Sequence, residues 1–144
     1  MVESVLRQIL ENAEKTFRDR DEEAAREIEP LVQIVNELNA VLRRNHLHRL
    51  SQGSCSMFAD IAFTNLGVDF RRIAAVCSNV GVATVVRIHP ELADHEHLYF
   101  ESLHTGGDAA FNASYEAAHA LYFSQLPEGD PPVSGSLHPE PAPV

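Results

Sequence analysis

The sequence predicts an all-α fold: an antiparallel helical bundle over residues 1 to about 125, followed by a proline-rich disordered tail over residues 126–144. Three observations carry that expectation. Apolar residues recur at steps of three and four along separate segments, the spacing of one helical face. The breaks between those segments hold residue types that cap and stop helices. One β-branched run occurs, and no partner strand accompanies it elsewhere in the chain.

The first helix is read from Val2, Val5, Leu6, Ile9, Leu10, Ala13 and Phe17, which share one face. The polar run Arg18 to Glu23 breaks it, with Asp21 placed to cap the next helix and Glu22 and Glu23 suited to its positive end. The second stripe is Ile28, Leu31, Val35, Leu38 and Leu42, interrupted by Pro30, which predicts a kink or short break near Glu29. Ser51-Gln52-Gly53-Ser54 reads as a stop and a new cap, with Gly53 free to turn left-handed. The third stripe, Ala59, Phe63, Leu66, Phe70, Ile73, Cys77, Val80 and Thr84, predicts a continuous core seam. The β-branched run Val82 to Ile88 extends this helix to about Arg87, and His89-Pro90 ends it. A short helical piece from Glu91 to Leu103, a Gly106-Gly107 breaker, and a final helix capped by Asp108 and bearing Phe111, Tyr115, Ala118 and Tyr122 complete the bundle.

With 144 residues and 44% apolar content, the chain suffices for one domain with one core. A formal charge of -10 disfavours a nucleic-acid groove, which needs clustered Lys and Arg. No segment approaches the roughly 18 to 20 apolar residues of a membrane span. Met1 to Arg7 carries Glu3 and Arg7 instead of a signal sequence, so a cytosolic location is expected. Cys55 and Cys77, read on one helix, stand roughly 33 Å apart at ~1.5 Å per residue, too far for a disulfide.

The segment Leu42-Arg43-Arg44-Asn45-His46-Leu47-His48-Arg49-Leu50-Ser51-Gln52-Gly53-Ser54-Cys55-Ser56 resembles the characteristic turn of the PhoU-like cytoplasmic domain of bacterial sodium/phosphate cotransporters. In that family an Arg-Arg-Asn-His-Ile-x-Arg-Leu stretch leads to Gly-x-Cys and the next helix. Phe70-Arg71-Arg72-Ile73-Ala74-Ala75-Val76-Cys77-Ser78-Asn79-Val80 is similar to a second family block at the same spacing, and Asp94 to Leu98 with the final aromatic helix is similar more loosely. The resemblance spans Asp21 to Phe123 and implies a PhoU-like bundle with a long helical hairpin.

PhoU-type bundles often bind iron or zinc through two Glu/Asp-x-x-x-Asp motifs, since i, i+4 carboxylates share a helix face. The corresponding positions here are Val32 with Asn36, and Arg71 with Ala75, so all four acids are replaced. A hairpin turning at Gly53-Ser54 sets 32 against 75 and 36 against 71, making the four positions one site. No cofactor or metal is therefore expected there.

Among other candidates, Arg43, Arg44, His46, His48 and Arg49 form a basic cluster that suits an anion or an acidic partner, or merely offsets a helix dipole. His89, His95, His97 and His104, with Asp94 and Glu96, lack the i, i+4 pairing of a zinc motif and are read as solvated. Cys77 is read as a packing thiol, and Cys55 as structural, with no catalytic set completed nearby. Ser54 and Ser56 are read as caps, and Asn65 and Asn79 as register-fixing polar groups on the seam.

The resemblance implies a non-enzymatic accessory or regulatory domain in phosphate transport or homeostasis, at the inner face of the plasma membrane, with a membrane-spanning sodium/phosphate carrier as partner. A free-standing PhoU-type phosphate-signalling regulator is the alternative, and a histidine-rich metal-binding protein ranks below both. A homodimer would follow if an apolar stripe on the first helix were left uncovered.

Overall fold

Capping chemistry divides the chain into α1 (Val2–Asp19), α2 (Glu22–Arg26), α3 (Ile28–Ser51), α4 (Met57–Ile88), a 3-10 turn (Pro90–His95) and α5 (Ala109–Phe123). The computed structural model describes residues 1–95 and 108–126, and among these no strand occurs. Leu126, the first residue of the predicted tail, packs half-buried against the core; the tail from 127 onward, the Gly106-Gly107 breaker and the rest of the piece reaching Leu103 lie outside the described residues.

Side chains cap the starts of α2, α4 and α5, whereas those of α1 and α3 have no side-chain cap bond. Asp21 accepts from the Ala24 N–H at 3.0 Å, and Asp108 accepts from the Ala110 and Phe111 N–H groups, both at 2.9 Å. Of the two candidate serines, Ser56 caps α4, accepting from the Ala59 N–H at 3.2 Å. Gly53 takes φ 69°, and the Gly53 and Ser54 N–H groups fold back onto the carbonyls of Leu50 and Arg49. Of the kink or short break predicted near Glu29, the structure shows a break. The helix breaks at Glu27, so Pro30 falls in the first turn of α3, where its missing N–H has no intrahelical partner to lose.

Three polar contacts fix the register of α3 against α4. Ser78 donates to Glu29, Asn39 Nδ2 donates to the Gly67 carbonyl at 3.3 Å, and His46 Nε2 meets Asp60 Oδ1 at 3.0 Å. These pairs keep, within one residue, the register that opposes 32 to 75 and 36 to 71. The two helices therefore run antiparallel. α5 follows the direction of α3, since Ser114 bonds Glu27 at 2.7 Å while Tyr115 bonds both oxygens of Glu37 at 2.9 Å and His119 also faces Glu37. Tyr122 reaches Gln8 of α1 at 2.9 Å.

The core joins Val5, Leu6 and Ile9 of α1 to Ile28, Leu31, Ile34, Val35 and Leu38 of α3, Ala74 and Cys77 of α4, and Tyr122. The predicted stripe on α3 is thus buried up to Leu38. Two predicted faces are only partly so. On α1, Leu10 and Phe17 turn outward, Phe17 being 81% exposed. On α4, Cys77 is buried and Val80 and Thr84 are half-buried, but Ala59, Leu66 and Ile73 are exposed. Helix length explains the difference: 18 residues make α1 about 27 Å long, whereas the 32 residues of α4 span about 48 Å. Residues 39–73 consequently form a two-helix arm that meets the core through the half-buried Leu42 and Phe70, and in which His46 is the one buried residue among those whose burial is described.

At the opposite end α2 crosses α4 closely. A Cβ placed at Gly81 would lie 3.0 Å from the Ala25 carbonyl oxygen and 3.2 Å from Ile28 Cδ1. Gly81→Val is expected to lower stability by about 2 to 3 kcal/mol through overpacking, measured by urea denaturation.

His89 clasps the same end, with Nε2 3.0 Å from Glu22 and Nδ1 3.2 Å from Glu91. The bond to Glu22 raises the His89 pKa, while bonds from Arg26 and then His89 lower that of Glu22. The clasp is complete below the ordinary imidazole range and is lost as pH rises through the raised His89 value; on the acid side it is lost as pH falls through the lowered Glu22 value. In thermal melts across this range, His89→Gln should show a shallower loss of stability on the alkaline limb than the unaltered protein.

Candidate functional site

Charge is distributed unevenly along the molecule. Between residues 39 and 73 stand Arg43, Arg44, Arg49, Arg71 and Arg72, five of the chain's 11 basic residues, against Asp60 and Asp69, two of its 21 acids. All five guanidinium groups are on exposed residues, and none has an ion-pair partner among the described residues. In α1 and α2, by contrast, Arg7, Arg18 and Arg26 each bind a glutamate one turn earlier. Interspersed with the arm's arginines are exposed Leu47, Phe58, Ile61, Leu66 and Val68, with Phe58 88% exposed. Apolar groups in this number beside unpaired arginines are the composition of an interaction surface.

The predicted basic cluster divides between surface and interior. Arg43, Arg44, His48 and Arg49 face solvent. His46 does not: at 3% exposure it stacks on Phe63 with ring centroids 4.3 Å apart and pairs with Asp60, which removes it from the surface contacts. Burial of this ring is what the stretch from Arg43 to Ser56 accomplishes structurally, because it ties the tip of α3 to the first turns of α4.

Cys55 lies one residue before the cap of α4, half-buried, with its sulfur 3.9 Å from His46 Nδ1 and 3.8 Å from the Ser56 carbonyl. The sequence reads Cys55 as structural with no catalytic set nearby; the structure sets the His46–Asp60 pair beside it. The missed partner was Asp60, whose place opposite His46 follows from the hairpin register. Cys77 is buried, and burial pushes its thiol pKa up. Asn65 and Asn79 are both exposed; the register bond belongs instead to Asn39.

The four positions that the sequence resemblance would match to a PhoU-type metal motif fall on the α3/α4 line, between the Glu29–Ser78 and Asn39–Gly67 contacts. Val32 is buried there, while Asn36, Arg71 and Ala75 are exposed. A hydrocarbon, an amide, a guanidinium and a methyl group offer no anionic donor, so the residues present do not fit an iron or zinc cluster. Among the described residues no group of three or more His, Cys, Asp and Glu side chains is placed to hold a metal. Of the histidine-rich set, only the His89 side chain is described, and it is engaged by Glu22 and Glu91; His95 ends the 3-10 turn, and His97 and His104 lie outside the described residues.

Compared with known protein families, curated proteins and solved structures, the chain finds no match in any of the three. No helix among the described residues is long and apolar enough to cross a membrane.

The register allows a direct test of the correspondence with PhoU-type bundles. A variant carrying Val32→Glu, Asn36→Asp, Arg71→Glu and Ala75→Asp is expected to retain iron or zinc at a fixed ratio after dialysis, read by elemental analysis, with the unaltered protein as reference. A folded variant that retains none would place those positions outside a PhoU-type arrangement.

Proposed function

We propose that this chain is a non-catalytic, PhoU-like accessory domain of a sodium-dependent phosphate cotransporter, acting in phosphate transport or homeostasis by docking its arm on a membrane-spanning carrier. The observation that supports the reading most is the coincidence of two independent features. The segment that resembles the family's characteristic turn, Leu42 to Ser56, is also the end of the molecule where unpaired arginines and exposed apolar side chains gather.

The physical chemistry favours contact with a protein over the other roles considered. A solvated helix end offsetting its own dipole would account for Arg43, Arg44 and Arg49. It would leave Phe58, Ile61 and Leu66 unexplained. An anionic lipid surface would gain only about 1 kcal/mol per basic residue, so the arm would be oriented by lipid more than held by it. A carrier's cytoplasmic loops can supply both acidic groups for the arginines and apolar surface for the phenylalanine; on this reading the domain sits at the inner face of the plasma membrane. A free-standing phosphate-signalling regulator would turn the same surface toward a different protein.

The test is binding of the purified chain to a sodium/phosphate carrier reconstituted in nanodiscs, compared with empty nanodiscs of the same anionic lipid. Saturable binding to the carrier is expected, weakened roughly tenfold or more by Arg43→Glu with Arg44→Glu and little changed by Arg7→Glu. Equal binding to empty nanodiscs, or none to the carrier, would overturn the reading.

A further inference from the structure

The geometry points to Cys55 as a thiol-exchange site: the structure assigns it a base, His46, and a positioning residue, Asp60, and we infer that it forms a mixed disulfide with small-molecule disulfides of the glutathione class. The inference stands whether or not the arm docks on a carrier, because it rests on the arrangement of three side chains at the tip.

The tautomer follows from the contacts. A carboxylate only accepts hydrogen bonds, so the ring nitrogen facing it, Nε2 at 3.0 Å from Asp60 Oδ1, carries the proton. In the neutral ring Nδ1 then keeps its lone pair, and it faces the Cys55 sulfur at 3.9 Å. The S–H has a second acceptor in the Ser56 carbonyl at 3.8 Å, which holds the thiol in the same neighbourhood without taking its proton. Phe63 covers the imidazole face and His46 is 3% exposed, so the base is shielded from water while the thiol remains half-open. A nucleophile, a base within reach and a group orienting that base are the elements of an activated thiol.

Packing alone does not require this arrangement, and the second cysteine shows what packing looks like. Cys77 is 6% exposed, has no hydrogen-bond partner among the described residues, and its pKa is raised by burial. The two thiols of one chain thus sit in opposite surroundings.

In the exchange the Cys55 proton passes to His46 Nδ1 as the sulfur attacks one sulfur of the disulfide R–S–S–R. A bond forms between Cys55 and that sulfur, the R–S–S–R bond breaks, and the departing thiolate takes the proton from His46 to leave as R–S–H. Cys55 sulfur is oxidised, the leaving sulfur is reduced, and no other oxidant is needed. Asp60 holds the ring and offsets the charge it carries in between.

The experiment is incubation of the full chain with glutathione disulfide at neutral pH, with intact mass and peptide mapping to follow the adduct. A single adduct on Cys55 is expected, forming roughly tenfold or more faster than on an unstructured peptide of the same local sequence, with Cys77 untouched in the folded protein. His46→Gln removes a buried ring and risks the fold, so Asp60→Asn is the informative variant. It should slow adduct formation several-fold or more with unchanged circular dichroism, and Asp60→Glu should restore the rate, which a merely structural carboxylate would not require. A Cys55 rate equal to that of the peptide, or Asp60→Asn matching the unaltered protein, would overturn the assignment.

Discussion

The register of α3 against α4 is the constraint on which the rest of the molecule depends. It is set by one left-handed residue, Gly53, and by polar contacts spaced along the hairpin: Glu29 with Ser78, Asn39 with Gly67, and His46 with Asp60. A hydrophobic seam tolerates sliding, because one leucine packs much like another. A hydrogen bond between a side chain and one particular partner does not, because a shift of one residue leaves a donor or acceptor unsatisfied. The same contacts that lock the register also place the candidate groups: His46 behind Cys55, and Arg43, Arg44 and Arg49 outward.

Attachment of α5 follows the same logic at a different surface. Glu37 receives the Tyr115 hydroxyl on both oxygens, Gln33 at 3.1 Å, and faces His119 at 3.9 Å. Burial first, and then this carboxylate, pushes the Tyr115 phenol well above its ordinary range. Phe111, Tyr115, His119 and Phe123, four residues apart, form a continuous ring contact along α5, with the last pair stacked at 4.0 Å. The apolar stripe thus brings α5 to the bundle, and the polar groups decide where along α3 it stops.

Much of this was legible in the residues because it is local. Asp21, Gly53, Ser56 and Asp108 announce their turns by chemistry that needs no tertiary context, and the 3–4 spacing of Ile28 to Leu38 names a buried face correctly. The exposure of Leu66 and Ile73 was not legible, since their spacing is as regular as that of Cys77. What separates them is whether another helix is long enough to reach them, and that depends on where α1 and α5 stop. At the candidate site, the basic residues could be read from the chain but the inward turn of His46 could not. A histidine among arginines looks like part of a charged cluster until the opposing helix supplies Phe63 and Asp60.

α4 is an unbroken rod from its cap at Ser56 to Ile88, and its two halves have different mechanical situations. The second half is gripped by the bundle, with α2 pressed against it at Gly81; the first half is braced by its hairpin mate, with Phe70 still against the core. A helix resists bending more strongly than a packed interface resists small sliding or rotation, so a load applied at the tip reaches the grip as torque. Such a load would meet the bundle where α2 crosses α4 at Gly81, at the same end as the His89 pairing with Glu22.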